Sequence, residues 1–143
     1  MPPFVTRPCA FVFLRSDDRV LISEMQHPVE GTFYRPPGGG IEFQETSAEA
    51  ARRELMEELA VAVEDLTLLG VREEIFSMSG EPYHEIGFVF EGWIDAEALT
   101  ALDGRAIVEA DGDIEIARVV SMADLRAERY APLYPEAVLE LLD

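Results

Sequence analysis

The chain has 143 residues, 29 of them acidic and 11 basic, for a formal net charge of −18. That length suits a single domain spanning 1–143 with its own core, and 48% hydrophobic with 28% charged residues is ordinary for a soluble globular protein. The acidity argues against polymeric nucleic acid and anionic membranes, which want a basic face, and no apolar run approaches the ~20 residues of a membrane span.

The start, Met1-Pro2-Pro3, has no basic segment followed by a long apolar stretch, so no signal peptide is expected. Cys9 is the one cysteine, which excludes an intrachain disulfide. It lies in a strand-like run and is expected to be a small buried hydrophobe; a reducing, cytoplasmic setting fits. Residues 8–15 and 19–25 read as two strands joined by the turn Ser16-Asp17-Asp18. Val12, Leu14, Val20 and Ile22 are their expected core positions. Residues 26–34 read as a loop. The turn Gly38-Gly39-Gly40 then leads through Ile41 and Phe43 to a helix.

The helix start is signalled by Thr46-x-x-Glu49, a capping box in which each side chain satisfies the other residue's orphan N–H. Ala48, Ala51, Leu55, Leu59 and Ala62 form an apolar stripe able to dock on a sheet. Glu54, Glu57 and Glu58 lie at about 0°, −60° and +40° around the axis and share one face. Ala50 falls among them. Glu49, Arg53 and Glu57 read as an i, i+4 ladder. Carboxylates packed this closely repel unless a positive charge sits among them. Arg53 supplies part of that charge, and a hard divalent cation is the natural remainder.

Beyond the helix, Leu66 to Met78 reads as a strand with a bulge at Gly70. Ser79-Gly80-Glu81-Pro82 is a turn, and His84 to Ile94 is an antiparallel return strand. Residues 95–112 read as irregular, or partly helical around Ala96 to Leu102. Residues 113–121 form the last strand. A short helix over Met122 to Arg126 and a terminal helix over Pro135 to Leu142 complete the chain.

Gly39, five residues, Glu45, seven residues, then Arg53-Glu54-Leu55-x-Glu57-Glu58-x-Ala60-Val61 closely resembles the Nudix box. Eight of the nine specified positions match, and the one departure is Ala60, where the family has Gly. A Gly there suits a left-handed turn at the helix end. Ala either adopts that turn at a cost of roughly 1 kcal/mol or lets the helix run on. Its direction, away from the carboxylates, leaves the chemistry intact.

The resemblance implies an α/β fold, the Nudix α/β/α sandwich with a mixed, mostly antiparallel sheet. It also implies a metal-dependent pyrophosphohydrolase. Such an enzyme cleaves a diphosphate bond in a nucleoside diphosphate linked to another moiety, such as ADP-ribose or a nucleotide sugar, or in a (d)NTP, and releases a nucleoside monophosphate. The implied cofactor is Mg²⁺ or Mn²⁺, held by Glu57, Glu58, the Gly38 carbonyl and Glu54, with Glu54 alternatively the general base. Arg53 would orient the carboxylates; Glu45 and Gly39 would support them. The partner implied is a small nucleotide-type substrate, and because the family is often dimeric a homodimer is among the expected states. The alternative is a non-catalytic domain of the same type that binds nucleotide or metal; such domains usually lose box carboxylates, and this chain keeps Glu54, Glu57 and Glu58.

Candidate substrate contacts are Arg35, Tyr34, Glu85, Asp113 and Glu115. Arg35 is a phosphate contact or a surface charge. Phe33 and Tyr34 stack on a base or belong to the core. His84 is an ordinary surface residue at the start of its strand, and Trp93 is packing. Asp113 and Glu115 enter the last strand where family members often supply one more acidic ligand or base.

Overall fold

The computed structural model describes residues 4–109 and 112–142. The Met1-Pro2-Pro3 segment and positions 110, 111 and 143 lie outside the described residues. Strands β1 (Thr6–Ser16) and β2 (Arg19–His27) form the expected first hairpin. The reading of 26–34 as a loop is corrected. β2 runs on to His27, a turn follows, and β3 (Gly31–Arg35) pairs back on β2 with Gln26 opposite Thr32. Gly31 has φ +80, the left-handed geometry that closes such a turn. The Gly-rich turn is itself a short strand, β4 (Gly38–Gly40), paired with β1.

Helix α1 (Ser47–Leu59) starts at the capping box, with Thr46 and Glu49 bonded reciprocally. It ends at Ala60, whose φ of 56° and ψ of 36° are left-handed. Ala62 is therefore outside the helix and exposed, and Val63 takes the inward place expected of it. Strands β5 (Leu66–Met78) and β6 (Glu81–Trp93) form a long hairpin. Its turn is the two residues Ser79 and Gly80, both at positive φ, so pairing resumes at Glu81. The bulge at Gly70 is present, and a Cβ there would come 2.7 Å from Leu141.

The stretch after β6 holds α2 (Ala96–Leu102), as expected, and an unexpected strand, β7 (Ala106–Val108), paired with β8 (Ile114–Ser121). α3 (Met122–Arg126) follows. The expected terminal helix is only a 3-10 turn, Val138–Leu141. The left-handed Ala137 breaks the helical run, and residues 132–134 are taken up along β3 by the bonds Tyr34 N–H to Pro132 O and Tyr134 N–H to Tyr34 O, each 2.9 Å.

The sheet order is β5-β6-β1-β2-β8-β7, with β1 and β6 parallel and the other pairs antiparallel. β1 and β2 pair directly only from Leu14 to Ser16. Beyond that they part, β4 bonding to β1 and β3 to β2. This split opens the cleft described below. Strand alternation sends Ala10, Val12 and Leu14 to one face, beneath α1 and α2, and Phe13, Val20 and Ile22 to the other, beneath α3 and the terminal turn. Val12, Leu14, Val20 and Ile22 are all fully buried, as read from sequence. Ala50 is buried in the first core. Leu55 and Leu59 anchor α1 there, and Leu55→Ala would cost about 2–5 kcal/mol.

Candidate active site

The cleft has two ends that share Arg7, Phe11, Arg35 and Glu109. One end is bordered by Gly38, Gly39, Gly40, Glu54, Glu57 and Glu58. Here Arg53 is the hub. Its Nε and Nη2 donate to the two Glu45 oxygens at 2.8 and 2.9 Å, Nη2 also to the Gly40 carbonyl at 3.0 Å, and Nη1 to Glu54 at 3.0 Å. Glu57 accepts from Nη1 at 3.4 Å. The helical ladder is thus half right. Arg53 meets Glu57, but its main partner is Glu45 on the loop, because Glu49 is committed to the capping box. The Arg53 hydrogen bonds and the Glu42 N–H hold Glu45 down to a pKa of about 2. Hydrogen bonding to Glu45 is also the chief reason the Arg53 pKa is raised.

Gly39 has a steric reason. A Cβ there would come 2.7 Å from a Glu54 oxygen, so only Gly lets that carboxylate lie against the turn.

Glu58 is in the opposite electrostatic state. Both its oxygens are buried with no hydrogen-bond partner among the described residues. Oxygens of Glu58, Glu109 and Glu115 lie within 4.8 Å of one another. Burial, then Glu109, Glu115 and Glu54, push the Glu58 pKa up to about 10. Arg35 faces this group, its Nη2 at 3.5 Å from Glu115 and 3.9 Å from Glu109, with its guanidinium 5.9 Å from the Phe11 ring centroid. Burial works to lower the Arg35 pKa, but Glu115, Glu109, Glu85 and Glu58 outweigh it and raise it. The surface-charge reading of Arg35 is excluded.

Glu109 was not foreseen from sequence. Its signal was the Asp111-Gly112 pair between the apolar runs Ala106-Ile107-Val108 and Ile114-Glu115-Ile116, a hairpin pattern. The β7–β8 pairing then sets Glu109 beside Asp113, whose carbonyl accepts its N–H at 2.8 Å. Glu115 is buried in the carboxylate group, while Asp113 is exposed and lines the other end of the cleft. Glu57, with a side chain 58% exposed, borders the cleft but stands outside the three-oxygen group.

The remaining candidates separate by strand parity. Phe33 and Arg35 point into the cleft. Tyr34, between them, packs against Tyr130 on the other sheet face, so its substrate-contact reading is corrected. Glu85 lines the cleft and pairs with Arg7 at 3.4 Å. His84 is half-buried, its Nδ1 3.2 Å from the Thr6 hydroxyl. Trp93 is 53% exposed under the Arg15 guanidinium, and so packs on a cation, outside the core. Cys9 is buried as expected; burial first, then Glu85, raises its pKa to about 12.

Three carboxylates converging in a buried place with one partly engaged Arg fit a hard divalent cation. All donors are oxygens, and their separations allow one ion to touch all three. The chain's relatives bear on this. A family model described as the NUDIX domain matches residues 5–141. The chain belongs to the Nudix family. A mouse protein named 8-oxo-dGDP phosphatase NUDT18 is 44% identical over 63 residues, which are 43% of this chain and 19% of that relative's length. Among solved structures, a MutT Nudix hydrolase from Burkholderia pseudomallei is 29% identical over 63% of this chain and 68% of its own, with a TM-score of 0.55. A Nudix hydrolase from Nitrosomonas europaea, 18% identical, covers 96% of this chain and 86% of its own at a TM-score of 0.64, a likeness of fold. Among the described residues, no helix is long and apolar enough to cross a membrane.

Proposed function

We propose that this protein hydrolyses a diphosphate bond in a nucleoside diphosphate derivative or a (d)NTP, with Mg²⁺ or Mn²⁺ bound, and releases a nucleoside monophosphate. The observation that carries the reading is the group of Glu58, Glu109 and Glu115, whose carboxylate oxygens lie within 4.8 Å of one another, in the cleft that the Gly-rich strand β4 borders. Glu58, Glu115 and Glu109 would hold the metal, with the Gly38 carbonyl, Glu54 and the more exposed Glu57 completing its surroundings. When bound, such an ion lowers the pKa of a water and offsets charge on phosphoryl oxygens.

The chain's own residues do the rest. Arg53 fixes the rotamer of Glu54 through the 3.0 Å bond. The Glu54 carboxylate lines the cleft, where it would accept a proton from an attacking water. Glu45 and Gly40 hold Arg53 in turn. Arg35 presents a cation at the waist of the cleft, where a phosphate chain passes between the two ends.

The mouse relative's name points to an oxidised guanine nucleotide, and that compound class belongs in the first test. The purified protein is incubated with Mg²⁺ and ADP-ribose, nucleotide sugars, dinucleoside polyphosphates, and plain and oxidised (d)NDPs and (d)NTPs. Monophosphate and phosphate release are followed by chromatography. Turnover of at least one compound, abolished by EDTA, is expected. No turnover of any, with nucleotide binding retained, would favour the non-catalytic alternative.

A further inference from the structure

We propose that two hairpin turns at the rim of the cleft form a strap that limits entry, and that His27 is the pH-sensitive catch that holds the strap shut. The inference concerns access to the cleft and does not depend on which reaction runs inside it.

β2 and β3 turn at Pro28-Val29-Glu30, on one side of the split sheet, and β5 and β6 turn at Ser79-Gly80, on the other. Side chains join the two turns. The Ser79 N–H donates to a Glu30 carboxylate oxygen at 3.1 Å, and the Ser79 hydroxyl lies 3.4 Å from His27 Nε2. Glu30, Ser77 and Met78 line the cavity of about 470 Å³ at the end of the cleft farther from the box. The joined turns therefore close its rim between the β2–β3 and β5–β6 hairpins.

His27 sets the geometry of the catch. Its Nδ1 accepts the N–H groups of Val29 and Glu30 at 3.1 and 3.0 Å. A ring nitrogen that accepts carries no hydrogen, so the neutral ring keeps its proton on Nε2 and donates it toward the Ser79 hydroxyl. One ring thus folds its own turn and reaches the opposite one. Protonation puts a hydrogen on Nδ1, which then faces two N–H donors and accepts from neither. The turn must rearrange, and Glu30, whose carboxylate holds Ser79, lies in the segment that moves. Little resists this. Val29, Glu30 and Ser79 are exposed, and Gly31 and Gly80, both at φ +80, have open space where a Cβ would stand. The other titratable groups around the ring are carboxylates. Glu30 is on its own turn, Glu81 follows the Ser79-Gly80 turn, and the β2–β8 register that sets Met25 opposite Glu115 carries Asp113 level with position 27. An ordinary carboxylate titrates at about 4 and an imidazole at about 6.5, so pH separates their effects.

The test is NMR on the full chain with labelled methionine methyls and an uncharged nitroxide as the probe of access, at about pH 8 and about pH 5.5, either side of the ordinary imidazole value. Met25 and Met78 line the cavity, while Met56, on α1, does not and is the control. Broadening of the Met25 and Met78 methyls should rise about threefold or more at the lower pH, with Met56 unchanged. The rise should follow the titration of the His27 ring, told apart from His84, the other histidine, by its loss in His27→Gln. His27→Gln should abolish the pH dependence, and Glu30→Ala should leave the cavity open at both values, with folding of each checked by circular dichroism. Equal access at both pH values in the wild type, a His27 ring that stays neutral throughout, or an unaltered pH response in His27→Gln would each overturn the strap. So would lower access at the acid end, because the imidazolium would then pair with Glu30 and tighten the contact.

Discussion

Arg53 and Arg35 border the same cleft among carboxylates, and their situations differ. Arg53 makes its bonds to Glu45, Glu54 and the Gly40 carbonyl at 2.8 to 3.0 Å, so the box carries its own neutralising charge. Arg35 stands at 3.5 and 3.9 Å from Glu115 and Glu109, and both Glu58 oxygens are buried without a hydrogen-bond partner among the described residues. One region is a scaffold that is complete as it folds. The other is short of positive charge, and buried carboxylates in that state await a cation. The contrast predicts that losing a carboxylate harms function on one side and stability on the other.

The largest effect should come from Glu58→Gln. It removes a charge the fold does not need, so hydrolysis should drop about 10²–10³-fold while the melting temperature without metal holds or rises. Mg²⁺ should raise the melting temperature of the wild-type protein and have little effect on the variant. A clear loss of metal-free stability in Glu58→Gln would break the comparison, because Glu58 would then be part of the scaffold.

Arg35→Ala leaves Glu109 and Glu115 without their facing cation. The metal-free protein should lose about 3 kcal/mol, and Mg²⁺ should restore part of it. Kinetically, KM should rise about tenfold with a smaller change in kcat, as for a phosphate contact made in ground and transition states alike. Arg35→Lys should rescue in part, since an ammonium lacks the bidentate fork. Unchanged KM with the same instability would make Arg35 purely a charge balance for the carboxylates.

On the scaffold side, Glu45→Gln should cost about 2 kcal/mol, and kcat should fall by only about 10-fold, through a looser Arg53. The pH dependence follows from the sign of the shift. Glu45 has its pKa lowered in the folded state from 4.5 to about 2, so its contribution is full above pH 4.5 and fades as pH falls toward 2. Urea melts of wild type and variant across that range should therefore converge at the acid end. A constant gap down to pH 2 would remove the Glu45–Arg53 pair from the account.

How legible each region was in the sequence tracks how local it is. Thr46, Glu49, Arg53, Glu54 and Glu58 sit on one helix, and their spacing set the capping box and most of the carboxylate face before any tertiary contact was known. Glu109 reaches Glu58 only through the β7–β8 pairing, and three residues of strand are too short to stand out in an irregular stretch. Phe33 and Tyr34 are adjacent letters with opposite fates, decided by the register of a strand read as loop. The C-terminal segment went to β3 in place of a helix because a free strand edge was available to it, which no local pattern reports.

The smallest prediction tests the one letter where the box departs from its pattern. Ala60 terminates α1 with φ at 56°, and its N–H bonds to the Met56 carbonyl at 3.0 Å. Of the two outcomes open from sequence, the helix stops and Ala takes the left-handed turn. An L-residue there carries about 1–2 kcal/mol of steric cost that Gly lacks, while Gly gives back about 0.5–1 kcal/mol through a freer unfolded chain. The difference favours Gly by about 0–1.5 kcal/mol. Ala60 is exposed, and the Glu58 carboxylate is held from the helix body above it, so the turn already has the geometry Gly would adopt. Ala60→Gly should raise the urea midpoint slightly and leave kcat and KM unchanged. A tenfold change in kcat at equal stability would mean that this turn, and with it the loop to Val63, moves during turnover.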